Sequence, residues 1–285
     1  MLSTLLALKI ATTLGTLVVM APSRDGLVVA ADSRSLRANN RTCDTAYKIV
    51  AVKSAEPAVF AVTGLSKIHG HRPGADPCRE PGMTALDLEE TARQQLERHG
   101  LPATVAAMTR LGEASIAAAQ RAQTLDPRIA HLYATYRGKR VHEIALGSYD
   151  TTRQEAVLAR VAVRVSALGT LEVTDETYVR RIGQQAERLL EHFGQSDYVN
   201  GPLLRHGQQH IRTVLRFLGL NERLDQVQRK TVADTSADAA VHAAVNLIEG
   251  AAALTATIPA EAPIGGPVDV VLLSKTKQVS RVRWK

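Results

Sequence analysis

Thr16, Asp32 and Lys48 lie sixteen residues apart in succession. Thr16 follows Gly15 at the head of an apolar, β-branched run, Thr16–Ala21 (TLVVMA). Asp32 closes a second such run, Leu27–Ala31 (LVVAA), and the Pro-Ser-Arg-Asp-Gly stretch between them reads as a tight turn. That turn folds the second run back along the first, so Asp32 returns close to Thr16. Lys48 opens the next strand-like segment, Lys48–Val52. Antiparallel packing thus brings a hydroxyl, a carboxylate and an ammonium to one sheet end. A threonine hydroxyl is a poor nucleophile until a base takes its proton, so such a trio is a place where activation can be arranged. Taken singly, Thr16 is an ordinary strand residue and Asp32 with Lys48 an ordinary ion pair. Only the joint spacing raises them above that.

The residues around this trio resemble the β-type subunits of the proteasome, within the N-terminal nucleophile (Ntn) hydrolases. The matching strings are Gly15-Thr16-Leu-Val-Val, Arg24-Asp25-Gly26-Leu-Val-Val-Ala-Ala-Asp32-Ser33-Arg34, Lys48-Ile49 and Val62-Thr63-Gly64-Leu65, with no gap from Thr16 through Lys48. Gly265-Gly266-Pro-Val-Asp-Val-Val-Leu resembles the family's penultimate strand and Val282-Arg-Trp284 its final one. The likeness is specific in residues 15–65 and 265–273, and elsewhere is one of element order.

The resemblance implies a mechanism. Removal of residues 1–15 would make Thr16 the N-terminus, and its own α-amine, with an ordinary pKa near ~8, would serve as general base directly or through a water. Lys48 would favour the alkoxide and keep the amine neutral, and Asp32 would balance and orient Lys48. The Gly64 backbone N–H would be the oxyanion donor, worth about 3–4 kcal/mol of transition-state stabilisation. Gly15, lacking a Cβ, would permit the tight turn that lets the Thr16 hydroxyl attack the bond before it. The expected protein is a proteasome-like threonine-type endopeptidase made as an inactive precursor. Its catalytic residues would be Thr16, Asp32, Lys48 and Gly64, with no metal or organic cofactor. It would self-associate into rings and act on peptide or unfolded protein. Two other readings stay open, a non-catalytic assembly subunit and an Ntn amidase acting on a small amide.

The family's supporting residues are altered here. In place of an Asp-x-x-Ser the chain reads Glu261-Ala-Pro-Ile264, where Glu261 can replace the Asp but Ile264 cannot replace the Ser. A second supporting Ser has no counterpart, since Arg180-Arg181-Ile182-Gly183-Gln184 occupies its region.

The elements that must position the trio follow from periodicity. Beyond the first hairpin, strands are expected at Lys48–Val52, Ala58–Val62, Ile129–Tyr136, Val141–Gly147, Ala156–Ser166, Pro267–Leu273 and Val279–Trp284. A helix is expected from Thr84, with Asp87 as a capping-box partner, a stripe of Ala85, Leu88, Ala92 and Leu96, and an end at Gly100. Others are expected after Pro102, over Asp175–Phe193, Leu203–Leu218 and Ser236–Leu254. Residues 66–83, with three Pro and three Gly, read as a long loop beside the pocket. Strands and helices in runs rather than alternation indicate antiparallel sheets with helices outside. With the resemblance, the expectation is an α+β fold, a four-layer αββα sandwich of two antiparallel sheets. Residues 16–285 would form one domain with insertions near 66–83 and 191–235, preceded by a leader, 1–15.

That leader (MLSTLLALKIATTLG) has an apolar stretch but no preceding basic residue and no clean cleavage pattern, so it reads as a propeptide more readily than as an export signal. The favoured compartment is the cytoplasm, with export the alternative. Cys43 and Cys78 make no disulfide framework and are expected as reduced thiols, a single bridge remaining open if the protein is exported. Lys9 interrupts the one candidate membrane span. The formal net charge of +7 permits an acidic partner without naming one, and 4% aromatic residues argue against a nucleic-acid stacking platform. No phosphate-loop, dinucleotide-binding or nucleophile-elbow motif occurs. His69-x-His71 with Cys78 lacks a standard zinc spacing, and His206 and His210 lack the Glu of a zinc-protease helix.

Overall fold

The computed structural model describes residues 9–12, 16–36, 42–44, 46–71, 84–187, 190–194, 231–256, 264–276 and 278–284. In chain order the strands and helices are β1 (Lys9–Thr12), β2 (Leu17–Ser23), β3 (Gly26–Asp32), β4 (Ser35–Leu36), β5 (Thr42–Cys43), β6 (Val50–Ala51), β7 (Ala58–Gly64), β8 (Lys67–His71), β9 (Thr84–Asp87), α1 (Leu88–His99), α2 (Val105–Leu125) and α3 (Pro127–Ala134). They continue with β10 (Arg140–Asp150), β11 (Glu155–Val165), β12 (Leu171–Val173), β13 (Tyr178–Ile182), β14 (Glu191–Gly194), α4 (Ala237–Ala256), β15 (Val268–Ser274) and β16 (Val279–Trp284). Among the described residues, no helix is long and apolar enough to cross a membrane.

Two large antiparallel sheets carry the fold. One runs β14-β2-β3-β15-β16 and the other β12-β11-β10-β7-β6, with β13 also paired to β11. The strands β2 and β3 are buried along their whole length, because each face meets a different neighbour. Leu17, Val19 and Ala21 pack with Ala240, Ala244 and Ile248 of α4. Val18 and Met20 point the other way, into a core shared with Val59, Ala61, Ala145 and Leu158 of the second sheet. That second sheet turns Phe60, Val62, Ile144 and Val161 towards Leu96, Met108 and Ala119 of α1 and α2. Period-two alternation therefore feeds two cores from each strand, and such strands read as continuous apolar runs.

Several local expectations need correcting. Ile129–Tyr136 is not a strand: Pro127 starts α3 behind the N-cap Asp126, whose Oδ1 accepts from Arg128 N at 2.9 Å, and Ile129 and Tyr133 fall on its buried side. Asp175–Phe193 is not a helix. Tyr178–Ile182 pairs with β11, Ala156 opposite Ile182, and Glu191–Gly194 pairs with β2. A β-branched and aromatic run beside an available strand edge outweighs a chance i, i+4 spacing of Ile182 and Ala186. Thr84 lies in a strand rather than a helix. Asp87 is itself the N-cap of α1, accepting from Glu90 N at 3.0 Å. Residues 67–71 of the expected loop form β8, which pairs with β9 and with β1 from the leader. Cys43 is disulfide-bonded, against the expectation of reduced thiols; the sequence's other cysteine, Cys78, lies outside the described residues. The expected helix 203–218, His206, His210, Glu261, Gly15 and most of the 191–235 insertion also lie outside them.

Candidate functional site

Asp32 ends β3 with its side chain wholly buried, and each oxygen has protein donors. Oδ1 accepts from Leu17 N at 2.9 Å and from Lys48 Nζ at 3.1 Å. Oδ2 accepts from Gly265 N at 3.2 Å. The Leu17 amide belongs to the peptide that joins Thr16 to Leu17, so Asp32 pins the backbone of Thr16 directly. Lys48 Nζ also donates to the carbonyl of Arg34. Thr16 and Lys48 are each 3% exposed. A buried ammonium against a buried carboxylate is tolerable only with such extra partners, and removing one member typically costs about 3–5 kcal/mol.

Burial dominates the titration of both groups. It pulls the Lys48 pKa down, against the opposing pull of Asp32, Glu89 and Asp44. It pushes the Asp32 carboxyl up, against Lys48 and the two backbone amides.

Lys48 lies just ahead of the short β6, and its neighbours Tyr47 and Ile49 are held by the C-terminal strand. Arg281 donates to the Ile49 carbonyl, and the Arg283 guanidinium sits 4.1 Å from the centre of the Tyr47 ring while forming a two-point bond with Asp269. The Gly265-Gly266 pair closes the other side. Gly265 takes φ +152° and Gly266 φ +73°. A Cβ on Gly266 would lie 2.6 Å from the Ser33 hydroxyl, so this turn excludes larger residues. Arg34, whose carbonyl receives Lys48, makes its own two-point bond with Asp44 at 2.8 and 2.9 Å.

Gly64 ends β7 at φ +78°, where a Cβ would lie 2.4 Å from the Val141 carbonyl oxygen. Its neighbour Thr63 approaches Thr16 through a third strand. Gly194 of β14 stands opposite Leu17, and a Cβ there would lie 2.0 Å from the Thr16 carbonyl oxygen and 3.0 Å from Thr63 Cβ. The structure therefore gathers Asp32, Lys48 and the Thr16 backbone directly, and links Thr16 to the segment 63–64 through Gly194. Gly194 and Glu143, which binds it, escaped the sequence reading. A carboxylate inside the buried run Val141–Gly147 was the available signal for Glu143. Gly194 carried none. His69 Nδ1 lies 3.0 Å from Thr84 Oγ1.

No protein-family model and no curated protein matches the chain. Among solved structures, the chain is similar to the Anbu (Gly-1) mutant from Hyphomicrobium sp. strain MC1 at 15% identity and a TM-score of 0.46, covering 94% of this chain and 87% of that one. It is also similar to Anbu from the same strain at 14% identity and a TM-score of 0.46, covering 94% and 86%. Likeness at that depth leaves the functional reading to the residues themselves.

Proposed function

We propose that the chain is a proteasome-like Ntn hydrolase, a threonine peptidase that becomes active when residues 1–15 are removed. One observation carries the reading: a single buried carboxylate oxygen, Asp32 Oδ1, accepts from both the Leu17 amide and Lys48 Nζ. The residue that would be nucleophile and the cation that would tune it are thus fixed to one atom.

In this reading the freed α-amine of Thr16 takes the proton of its own hydroxyl, directly or through a water. Lys48, held as a cation against Asp32 Oδ1, would stabilise the alkoxide by its positive charge. The hydroxyl oxygen attacks a peptide carbonyl, the backbone N–H of Gly64 receives the oxyanion, the amine-borne proton goes to the leaving nitrogen, and water releases the acyl-enzyme. The architecture that goes with it is a four-layer αββα sandwich over residues 16–285. Its expected setting is a ring assembly acting on peptide or unfolded protein.

Intact-mass measurement of the purified full chain tests the reading. The wild type should begin at Thr16 and take a covalent peptide-epoxyketone adduct there, whereas Thr16→Ala should retain residues 1–15. A wild-type chain that keeps its leader and takes no adduct would sink it and favour a non-catalytic assembly subunit.

A further inference from the structure

Glu143 is a fully buried carboxylate for which the mechanism above has no use. It lies on β10, in register with Thr63 of β7. It shares strand parity with Ala145, which belongs to the core between the two sheets. Its Oε1 pairs with Arg160, and its Oε2 lies 3.3 Å from Arg140 Nη1. Both arginines have a second anion in Glu176, at 2.6 and 2.9 Å, which is half-exposed. Burial pushes the Glu143 carboxyl pKa up, and the two arginines and one backbone amide pull it back.

That amide is the informative contact. Gly194 N donates to Glu143 Oε2 at 3.1 Å. Gly194 is the residue whose missing Cβ lets β14 press against the Thr16 carbonyl. The peptide joining Thr16 to Leu17 is therefore held at both ends. Asp32 takes its N–H, and Gly194, held by Glu143, covers its C=O.

We infer that Glu143 is a positioning residue for Thr16, acting through the Gly194 amide. The inference rests on Thr16 being the nucleophile for its catalytic consequence, but the positioning itself is readable without turnover. Glu143 fixes Gly194, Gly194 fixes the carbonyl of Thr16, and the hydroxyl and amine of Thr16 inherit that placement. What matters is an acceptor oxygen that reaches Gly194 N. The negative charge serves the arginines, and Glu176 partly covers for it.

Two substitutions in the full chain separate these roles. Glu143→Gln keeps the reach and loses the charge. Glu143→Asp keeps the charge and, one methylene shorter, loses the reach. Amide hydrogen exchange at Leu17 and Gly194 gives the first readout. Exchange should quicken about tenfold in Glu143→Asp and stay near wild type in Glu143→Gln. Leader release and peptide hydrolysis give the second. Glu143→Asp should lose at least about tenfold in kcat with KM little changed, and Glu143→Gln should stay close to wild type. Equal behaviour of the two variants in exchange, or a Glu143→Asp chain as well protected as wild type, overturns the inference. A wild type that neither sheds its leader nor hydrolyses peptide, with the exchange difference between the two variants still present, overturns the reading of Thr16 as nucleophile and leaves the positioning role standing.

Discussion

Two buried carboxylates flank the Thr16–Leu17 peptide from opposite sheets, Asp32 on the Leu17 amide and Glu143 on the Gly194 amide, and they are built differently. Asp32 has one cation, Lys48, and two backbone amides, all within the cluster. Glu143 has two cations, and both are shared with the half-exposed Glu176. Loss of the Asp32 charge leaves Lys48 buried without its carboxylate. Loss of the Glu143 charge leaves arginines that still touch an anion and, at Arg140, partly touch water. The lesson is that a buried charge is replaceable in proportion to the alternatives its partners keep.

Thr16→Ala tests the shared object of both groups and should have the largest effect. Hydrolysis should fall by at least about a thousandfold, read with a fluorogenic peptide. Asp32→Asn should come next, lowering unfolding free energy by about 3–5 kcal/mol in a denaturant titration. Glu143→Gln should cost clearly less in the same titration; equal costs would erase the distinction between the two sites.

The neighbour of Glu143 gives a third test, through pH. His142 turns away from Glu143 to bond Ser115 Oγ at 2.8 Å, and burial lowers its pKa from 6.5 to about 3. At this imidazole the folded state thus binds fewer protons than the unfolded one between those values, so the histidine's contribution makes stability fall as pH drops through the window. From pH 6.5 to 5 His142's share of the loss should be about 1.6 kcal/mol, and His142→Gln should remove it. The smallest effect belongs to Glu176→Ala. At a half-exposed site, it should change stability by less than about 1 kcal/mol. A larger loss would mean that Glu176, rather than Glu143, governs the arginines.

The Thr16–Asp32–Lys48 cluster was legible because its members sit on one hairpin and the segment that follows, where local turn chemistry alone returns Asp32 to Thr16. Both closing strands and α4 were legible from their own periodicity. The region 175–194 was not. Tyr178–Ile182 becomes a strand through the free edge of β11, and Gly194 matters only because β14 lands beside Leu17. Such facts belong to partners distant in the chain, and periodicity does not carry them. Glu143 falls between these cases, for its burial was readable and its partner was not.

The strand contributed by the leader has one further consequence. Lys9–Thr12 is stitched by backbone ladder to Lys67–His71, just past Gly64. Scission ahead of Thr16 would therefore break a covalent link without dissolving that ladder. The severed peptide would remain as a bound guest, and the lag before first turnover would measure its departure rather than the cut. Denaturing mass spectrometry would see two pieces while native mass spectrometry still weighed one.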